Sequence, residues 1–370
     1  MSGHPFVRAA LAATVFWAMA PEARALDPGY AATYAYDTTG AGLDLGVQPL
    51  GYPSGMFSSI MARDQTLRHA LERLGLGLRL HPYLKGFDMI DLVDGARLEG
   101  ALLGDMPTIL TAVANEVAII GMVKQTFSSV VAREFGQIGE LKGKRIGNAA
   151  GSSAHHALLR GLRSAGLSEM DVTLVAVDVG DMPAALAAGT IDAFAAWEPA
   201  PSIALRGGSQ FKVIYRGVST DYFVLARSFL LRHPEAAREV IASFVRALNW
   251  MGSSREALLQ SCEWAMADGT AFIGKPQNTT AEQAAAIVRR EILEVASAPV
   301  IPRRGAGGQE MLESEFLFLR ELGKIPADTQ WSRVAASFSR DLLLEVLEKP
   351  GRYRLAGFDY SPTVSSAAPR

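Results

Sequence analysis

The chain has 370 residues, 49% of them hydrophobic, with 36 Lys and Arg against 38 Asp and Glu, a net charge of −2 and a single cysteine. Scattered basic residues at near-zero net charge argue against a nucleic-acid partner and against a polybasic membrane anchor. Cys262, having no partner, excludes an internal disulfide, so stability must come from a core, which a chain of this length buries as two domains.

At the N-terminus Arg8 precedes an apolar stretch from Ala9 to Ala20, and Ala23-Arg24-Ala25 supplies the small-x-small pattern of a signal-peptidase site. This predicts a signal peptide over 1–25, cleaved after Ala25, and an exported mature protein. Leu26 follows the cut, so no cysteine is available there for lipid attachment, and the apolar run is too short to span a membrane. The next most apolar segment, Ala112 to Val123, is interrupted by Asn115 and Glu116, so no stable membrane insertion is expected.

After a linker-like Tyr30 to Gly42, the pattern predicts a strand over Leu45 to Tyr52, a turn at Pro53-Ser54-Gly55 and an amphipathic helix from Met56 to Leu74. Strands follow at Leu78 to Tyr83, Leu98 to Leu103 and Val117 to Val123, with helices at Phe87 to Val93 and Pro107 to Ala114. A second series has strands near Phe127 to Val131, Arg145 to Asn148, Val172 to Val177, Ala193 to Ala196 and Lys212 to Tyr215. Strands alternating with helices predict α/β lobes with parallel, doubly wound sheets. From Pro234 the pattern turns helical, over Glu235 to Ala265, Ala281 to Ala296 and Gln309 to Leu322. The tail, Ser361 to Arg370, reads as disordered.

Two strand-to-helix turns stand out, because a helix start offers free N–H groups to an anion. In the first, Arg145 to Asn148 runs through the small-residue loop Ala149-Ala150-Gly151-Ser152 into a helix from about Ser153 to Ala165, with Ser152 or Ser153 as N-cap. In the second, Ala193 to Ala196 turns at Trp197-Glu198 into a helix with Pro199 in its first turn. The segment Glu99 to Asp105 aligns without gaps on Asp192 to Glu198, each with an acid opening a short apolar strand and a second acid six residues later. Either two lobes are built alike and bring equivalent helix starts to one cleft, or both segments are generic αβα units.

At these residues the chain resembles the periplasmic substrate-binding proteins of ABC importers, in the aliphatic-sulfonate, taurine and nitrate group. The resemblance is carried by Leu141-Lys142-Gly143-Lys144-Arg145-Ile146, Gly151-Ser152-Ser153-Ala154-His155, Gly189-Thr190-Ile191-Asp192-Ala193, Trp197-Glu198-Pro199 and Gly104-Asp105-Met106-Pro107. Tyr222 to Arg227, His233-Pro234-Glu235, Glu315 to Leu319 and Gly323 to Pro326 extend it over nearly the whole mature chain. It implies a type II periplasmic-binding-protein fold: two α/β lobes joined by two crossing strands, near Lys124-Gln125-Thr126 and Arg216 to Thr220, that close on a ligand by hinge motion. The first lobe would comprise 43–123 and 219–355, including the C-terminal helices, the second 124–218, with a tail over 356–370. It further implies a periplasmic location, an ABC permease as protein partner, and a monomer.

Carried onto this sequence, the family's ligand loops are Ser54, Gly55, Met56 and Phe57; Asp105, Met106, Pro107 and Thr108; Gln125 and Thr126; Gly151, Ser152, Ser153, Ala154 and His155; and Trp197 and Glu198. None contains Lys or Arg, so the expected oxyanion would be held by N–H groups, hydroxyls and helix dipoles. A sulfonate suits this, with three acceptor oxygens and one delocalised charge. Asp105 and Glu198 would favour a zwitterion such as taurine if they face the cleft, and would be plain caps if they face away. Trp197 would stack on the ligand's aliphatic part or fill the core beneath the turn. Nitrate, a thiamine-precursor pyrimidine or another small ligand are the alternatives. A desulfinase-like enzyme on the same fold would need a cysteine in these loops, and there is none.

No cofactor or metal motif is present. His155 and His156 are adjacent in a helix and face different directions, and HExxH, GxSxG and Walker patterns are absent.

Overall fold

The computed structural model describes residues 42–94, 97–293, 298–305 and 308–361. The predicted signal peptide, the linker up to residue 41 and the tail from residue 362 lie outside the described residues.

In chain order, β1 (Gly42–Val47), α1 (Ser54–Arg63), α2 (Gln65–Arg73), β2 (Gly77–Pro82), β3 (Gly100–Gly104) and α3 (Asp105–Ala114) lead into a long strand, β4 (Val117–Arg133). Then follow β5 (Arg145–Asn148), α4 (Ser153–Ser164), β6 (Thr173–Ala176), α5 (Met182–Ala187), β7 (Ala193–Ala196), α6 (Ala200–Arg206) and a second long strand, β8 (Phe211–Ala226). The rest is helical: α7 (Arg227–Arg232), α8 (Pro234–Ser253), α9 (Arg255–Ile273), α10 (Ala281–Val288), α11 (Gln309–Glu321), α12 (Trp331–Ala335) and α13 (Arg340–Glu348).

The strands form one sheet in the order β2-β1-β3-β8-β4-β7-β5-β6. The outer strands pair in parallel, as predicted, but β8 is antiparallel to both β3 and β4, and β4 is antiparallel to β7. The expected parallel sheet is therefore mixed, because β4 and β8 run the length of the molecule in opposite directions and belong to both lobes. The predicted strands at Val117 to Val123 and Phe127 to Val131 are one, since the polar Lys124-Gln125-Thr126 stays in the ladder, paired with Asp221, Thr220 and Ser219. Likewise Lys212 to Tyr215 and the return crossing are one strand. The type II periplasmic-binding-protein fold is thus the fold of this chain: two α/β lobes joined by two crossing strands.

Apolar burial follows this layout. One cluster, from Val130 to Tyr215, packs around Phe194, Leu158 and Met182 on the β5–β7 side. Two others cover the opposite faces of the β1–β3 side, around Phe57, Phe223 and Phe244 on one face and Met106, Tyr222 and Phe316 on the other.

Three predicted elements change for local reasons. The helix expected over Met56 to Leu74 breaks at Asp64, whose carboxylate accepts from Leu67 N–H to cap α2 and receives Ser243 and Arg246 through its other oxygen. The run from Glu235 to Ala265 breaks at Ser254, whose hydroxyl caps α9 by accepting from Ala257 N–H. The first strand ends at Val47, before Pro49, which lacks the N–H a ladder needs.

Candidate ligand-binding site

Where the crossing strands pass between the lobes, a narrow cavity opens with about 370 Å³ of empty volume, its mouth included. From the first lobe Gln48, Gly51, Ser54, Gly86, Gly104 and Pro107 line it; from the second, Ser152, Ser153 and Trp197; from the crossing strands, Lys124, Ser219 and Asp221. The starts of α1 and α4 thus meet here, and Gly104 caps α3. Ser152 is the N-cap of α4, its hydroxyl accepting from His155 N–H at 3.2 Å. Gly151 before it adopts φ +75, and a side chain there would collide with the Phe87 ring of the opposite lobe. The turn is glycine for both reasons.

Of the sequence-predicted residues, Ser54, Pro107, Ser152, Ser153 and Trp197 line the cavity. The others surround it without lining it. Met56 and Phe57 are core, Phe57 stacking on Phe244 at 5.0 Å, and Gly55 lies between them and the α1 start. Met106 and Ala154 join apolar clusters, and the Thr108 hydroxyl donates back to Leu103 O in β3. Gln125 and Thr126 sit in the strand ladder. Gly151 N–H donates to His155 Nδ1, and His155 Nε2 meets Glu169 at 2.9 Å, so this histidine is tied down beside the cleft.

The expectation that the cleft carries no cationic side chain is corrected by Lys124. It is 3% exposed in the cavity wall, with Nζ 3.5 Å from Asp221 Oδ1. Asp221 also accepts a short hydrogen bond from the Ser54 hydroxyl. Glu291, behind Lys124, is pushed up to about 7 by burial, against the pull of Lys124 and a hydrogen bond with Thr126. Lys124 falls in the first expected crossing and Asp221 one residue past the second, so neither counts among the expected ligand loops; a single charge inside each apolar run, AIIGMVK and DYFVLA, is the available signal.

Asp105 and Glu198 do not line the cavity. Asp105 is fully buried, accepting from Met106 N–H at 2.7 Å, from Thr220 N–H at 3.1 Å and from the Ser153 side chain. Burial still outweighs these bonds and lifts its carboxyl to about 6. Glu198 accepts from Ser202 N–H and hydroxyl and from Arg290. Both acids are therefore spent on protein donors. The internal echo survives at its other end: Glu99 accepts from Asp44 N–H of β1, and Asp192 from Arg145 N–H of β5, both at 2.8 Å. In each lobe the acid opening the short strand ties it to the start of its parallel neighbour.

The lobes are in contact. Tyr52 N–H donates to Glu198 O at 3.2 Å, Lys324 reaches Glu169 at 2.8 Å, and Arg163 pairs with Glu321. Under the cavity floor His156 of α4 meets Glu315 of α11, with Nδ1 3.8 Å from Oε1. Burial pushes the His156 imidazole down to about 3 and the Glu315 carboxyl well above its usual range.

The sequence was compared with known proteins. The model of the NMT1-like family matches residues 109–266. Two relatives, both named as aliphatic sulfonates-binding proteins, are 26% identical over 219 residues (Escherichia coli) and 28% over 214 (Bacillus subtilis). This chain is similar to proteins named as aliphatic sulfonates-binding. The matches take in 56% and 54% of this chain and span 67% and 64% of those relatives' lengths. Among solved structures, the alkanesulfonate-binding protein SsuA from Xanthomonas axonopodis pv. citri, bound to MOPS, superposes with a TM-score of 0.61 at 20% identity, covering 82% of this protein and 100% of that chain. The nitrate-binding protein NrtA from Synechocystis PCC 6803 gives 0.62 at 13%, covering 87% and 92%, and the desulfurization enzyme DSZB 0.52 at 14%, covering 84% and 99%. These likenesses establish the fold, which is shared by binders and an enzyme.

Proposed function

We propose that this protein is the periplasmic solute-binding component of an ABC importer and that it binds a small organosulfonate between its lobes. The observation that carries the reading is the convergence on one cavity of the α1 and α4 starts, the Ser54, Ser152 and Ser153 hydroxyls, and Lys124. N–H groups at the helix starts suit the three oxygens of a sulfonate, and Lys124 and the Ser54 hydroxyl turn to the anion as it competes with Asp221 for them. Trp197 and Pro107 offer an apolar wall to an aliphatic tail. Since Asp105 and Glu198 are held by protein donors, a plain alkanesulfonate is preferred to taurine. The lobes comprise 43–123 with 219–355, and 124–218, and move about the crossings at Lys124 to Thr126 and Ser219 to Asp221. The permease of the importer is the protein partner, met by a monomer.

A non-enzymatic role is supported by the cysteine inventory. Cys262 is fully buried in the core, its thiol pushed up to about 12 by burial, and as the chain's one cysteine it leaves the cavity without a thiol nucleophile. The deciding experiment is calorimetric titration of the ligand-stripped mature protein with alkanesulfonates, taurine, nitrate and a thiamine-type pyrimidine. Tight binding of alkanesulfonates is expected; tighter binding of nitrate or the pyrimidine would reassign the ligand, and turnover of a sulfinate would overturn the non-enzymatic role.

A further inference from the structure

Directly beneath the cavity, Asp105 at the start of α3, His156 on α4 and Glu315 on α11 bring one donor atom each to within 4.8 Å of one another. All three are buried, at 0%, 2% and 3% exposure. Neither ring nitrogen of His156 has a hydrogen-bond partner, nor does Oε2 of Glu315. A fully desolvated imidazole and carboxylate oxygen left unpaired are unusual, because such groups are normally satisfied by protein or water. These lie side by side, within 4.8 Å of a second carboxylate, that of Asp105.

We propose that Asp105, His156 and Glu315 form a zinc-class divalent metal site that straddles the two lobes. One imidazole and two carboxylates are a donor set that Zn²⁺ accepts, with a water completing a four-coordinate shell. Two carboxylates and a neutral imidazole carry a charge that one divalent cation cancels. Supporting contacts orient the donors: Asp105 is fixed by the Met106 and Thr220 N–H groups, and the His156 ring packs edge-on against Phe318 at 5.6 Å. Arg160, whose guanidinium lies over the Phe318 ring at 5.4 Å, is the nearby positive charge the metal must tolerate. Since α4 belongs to the lobe opposite α3 and α11, opening the lobes exposes the donors and gives the ion its path in; closing them completes the site.

The test is calorimetric titration of the chelator-stripped, tag-free mature protein with ZnCl₂ and no organic ligand, so its outcome does not depend on the sulfonate reading. One Zn²⁺ per chain is expected, with affinity reduced by at least roughly 10–100-fold in Glu315→Gln and in His156→Asn, and unchanged in His155→Gln. The ring-nitrogen NMR signals of His156 in the unmutated protein give a second readout: zinc should shift them at one equivalent. No binding, binding that both variants retain, or unmoved His156 signals would each overturn the site.

Discussion

Lys124 and Asp221 are register partners across the ladder of the two crossing strands, and their side chains pair at 3.5 Å in the wall of the cavity. The pair sits where each strand leaves one lobe for the other, so the charges in the cavity wall are attached to the segments about which the proposed lobe motion would turn. Removing Lys124 leaves Asp221 buried without its counter-ion. Lys124→Met should therefore abolish detectable anion binding by calorimetry and lower stability by about 3 kcal/mol in urea unfolding. Retained affinity would mean that the helix starts alone hold the anion.

Gly104 faces Ser153 across the lobes so closely that a methyl group would meet the hydroxyl, which also serves Asp105. Its backbone, at φ −64, is one that alanine adopts without strain. Gly104→Ala should leave the fold intact by circular dichroism while weakening ligand affinity by roughly ten-fold, about 1.4 kcal/mol of lost closure. Small-angle scattering should show a larger fraction of open molecules.

Asp64 and Arg246 form an ion pair that is at most 1% exposed, with Arg246 also donating to Tyr353 O at 2.7 Å. Asp64→Ala strands a guanidinium in the core and uncaps α2. A loss of about 3–5 kcal/mol in unfolding free energy is expected, with ligand affinity unchanged provided the measurement is made where the variant is folded.

Ionisation of Glu291 adds a negative charge beside Lys124, and its carboxyl titrates at about 7. Below that value it is neutral, so anion affinity should fall as pH rises from 6 to 8, by roughly five-fold for an interaction of about 1 kcal/mol. Glu291→Gln should flatten that pH dependence in calorimetric titrations.

Glu169 joins His155 of its own lobe to Lys324 of the other, and these partners, His155 foremost, hold its carboxyl down at about 2. A depressed carboxyl stabilises the folded state above its unfolded value, near 4.5, and that contribution disappears as pH falls from about 5 to 2. Glu169→Gln should lower Tm at pH 7 by several degrees, at about 2–4 °C per kcal/mol in a domain of this size. The thermal curves of the two proteins should converge near pH 2.

The local spacing of apolar residues, glycines and caps determined much by itself. The short strands at Arg145 to Asn148 and Ala193 to Ala196, the Ser152 cap, the glycine turn at Gly151 and the two-lobe layout were all legible, because each rests on contacts within a few residues or on a repeat within the chain. What needed the tertiary structure was every feature set by partners far apart in sequence. Asp64 breaks a continuous helical pattern because Arg246 and Ser243 claim its carboxylate. The strands ending at Val123 and starting at Phe127 are one because β8 supplies a ladder for the polar residues between them. Lys124 lines the cleft because Asp221 pairs with it, while Asp105 and Glu198, which looked equally available, are consumed by Thr220, Ser202 and Arg290. A charged side chain's role depends on which donor or acceptor reaches it first, and apart from Ser202, four residues from Glu198, those groups arrive from segments 92 to 182 residues away.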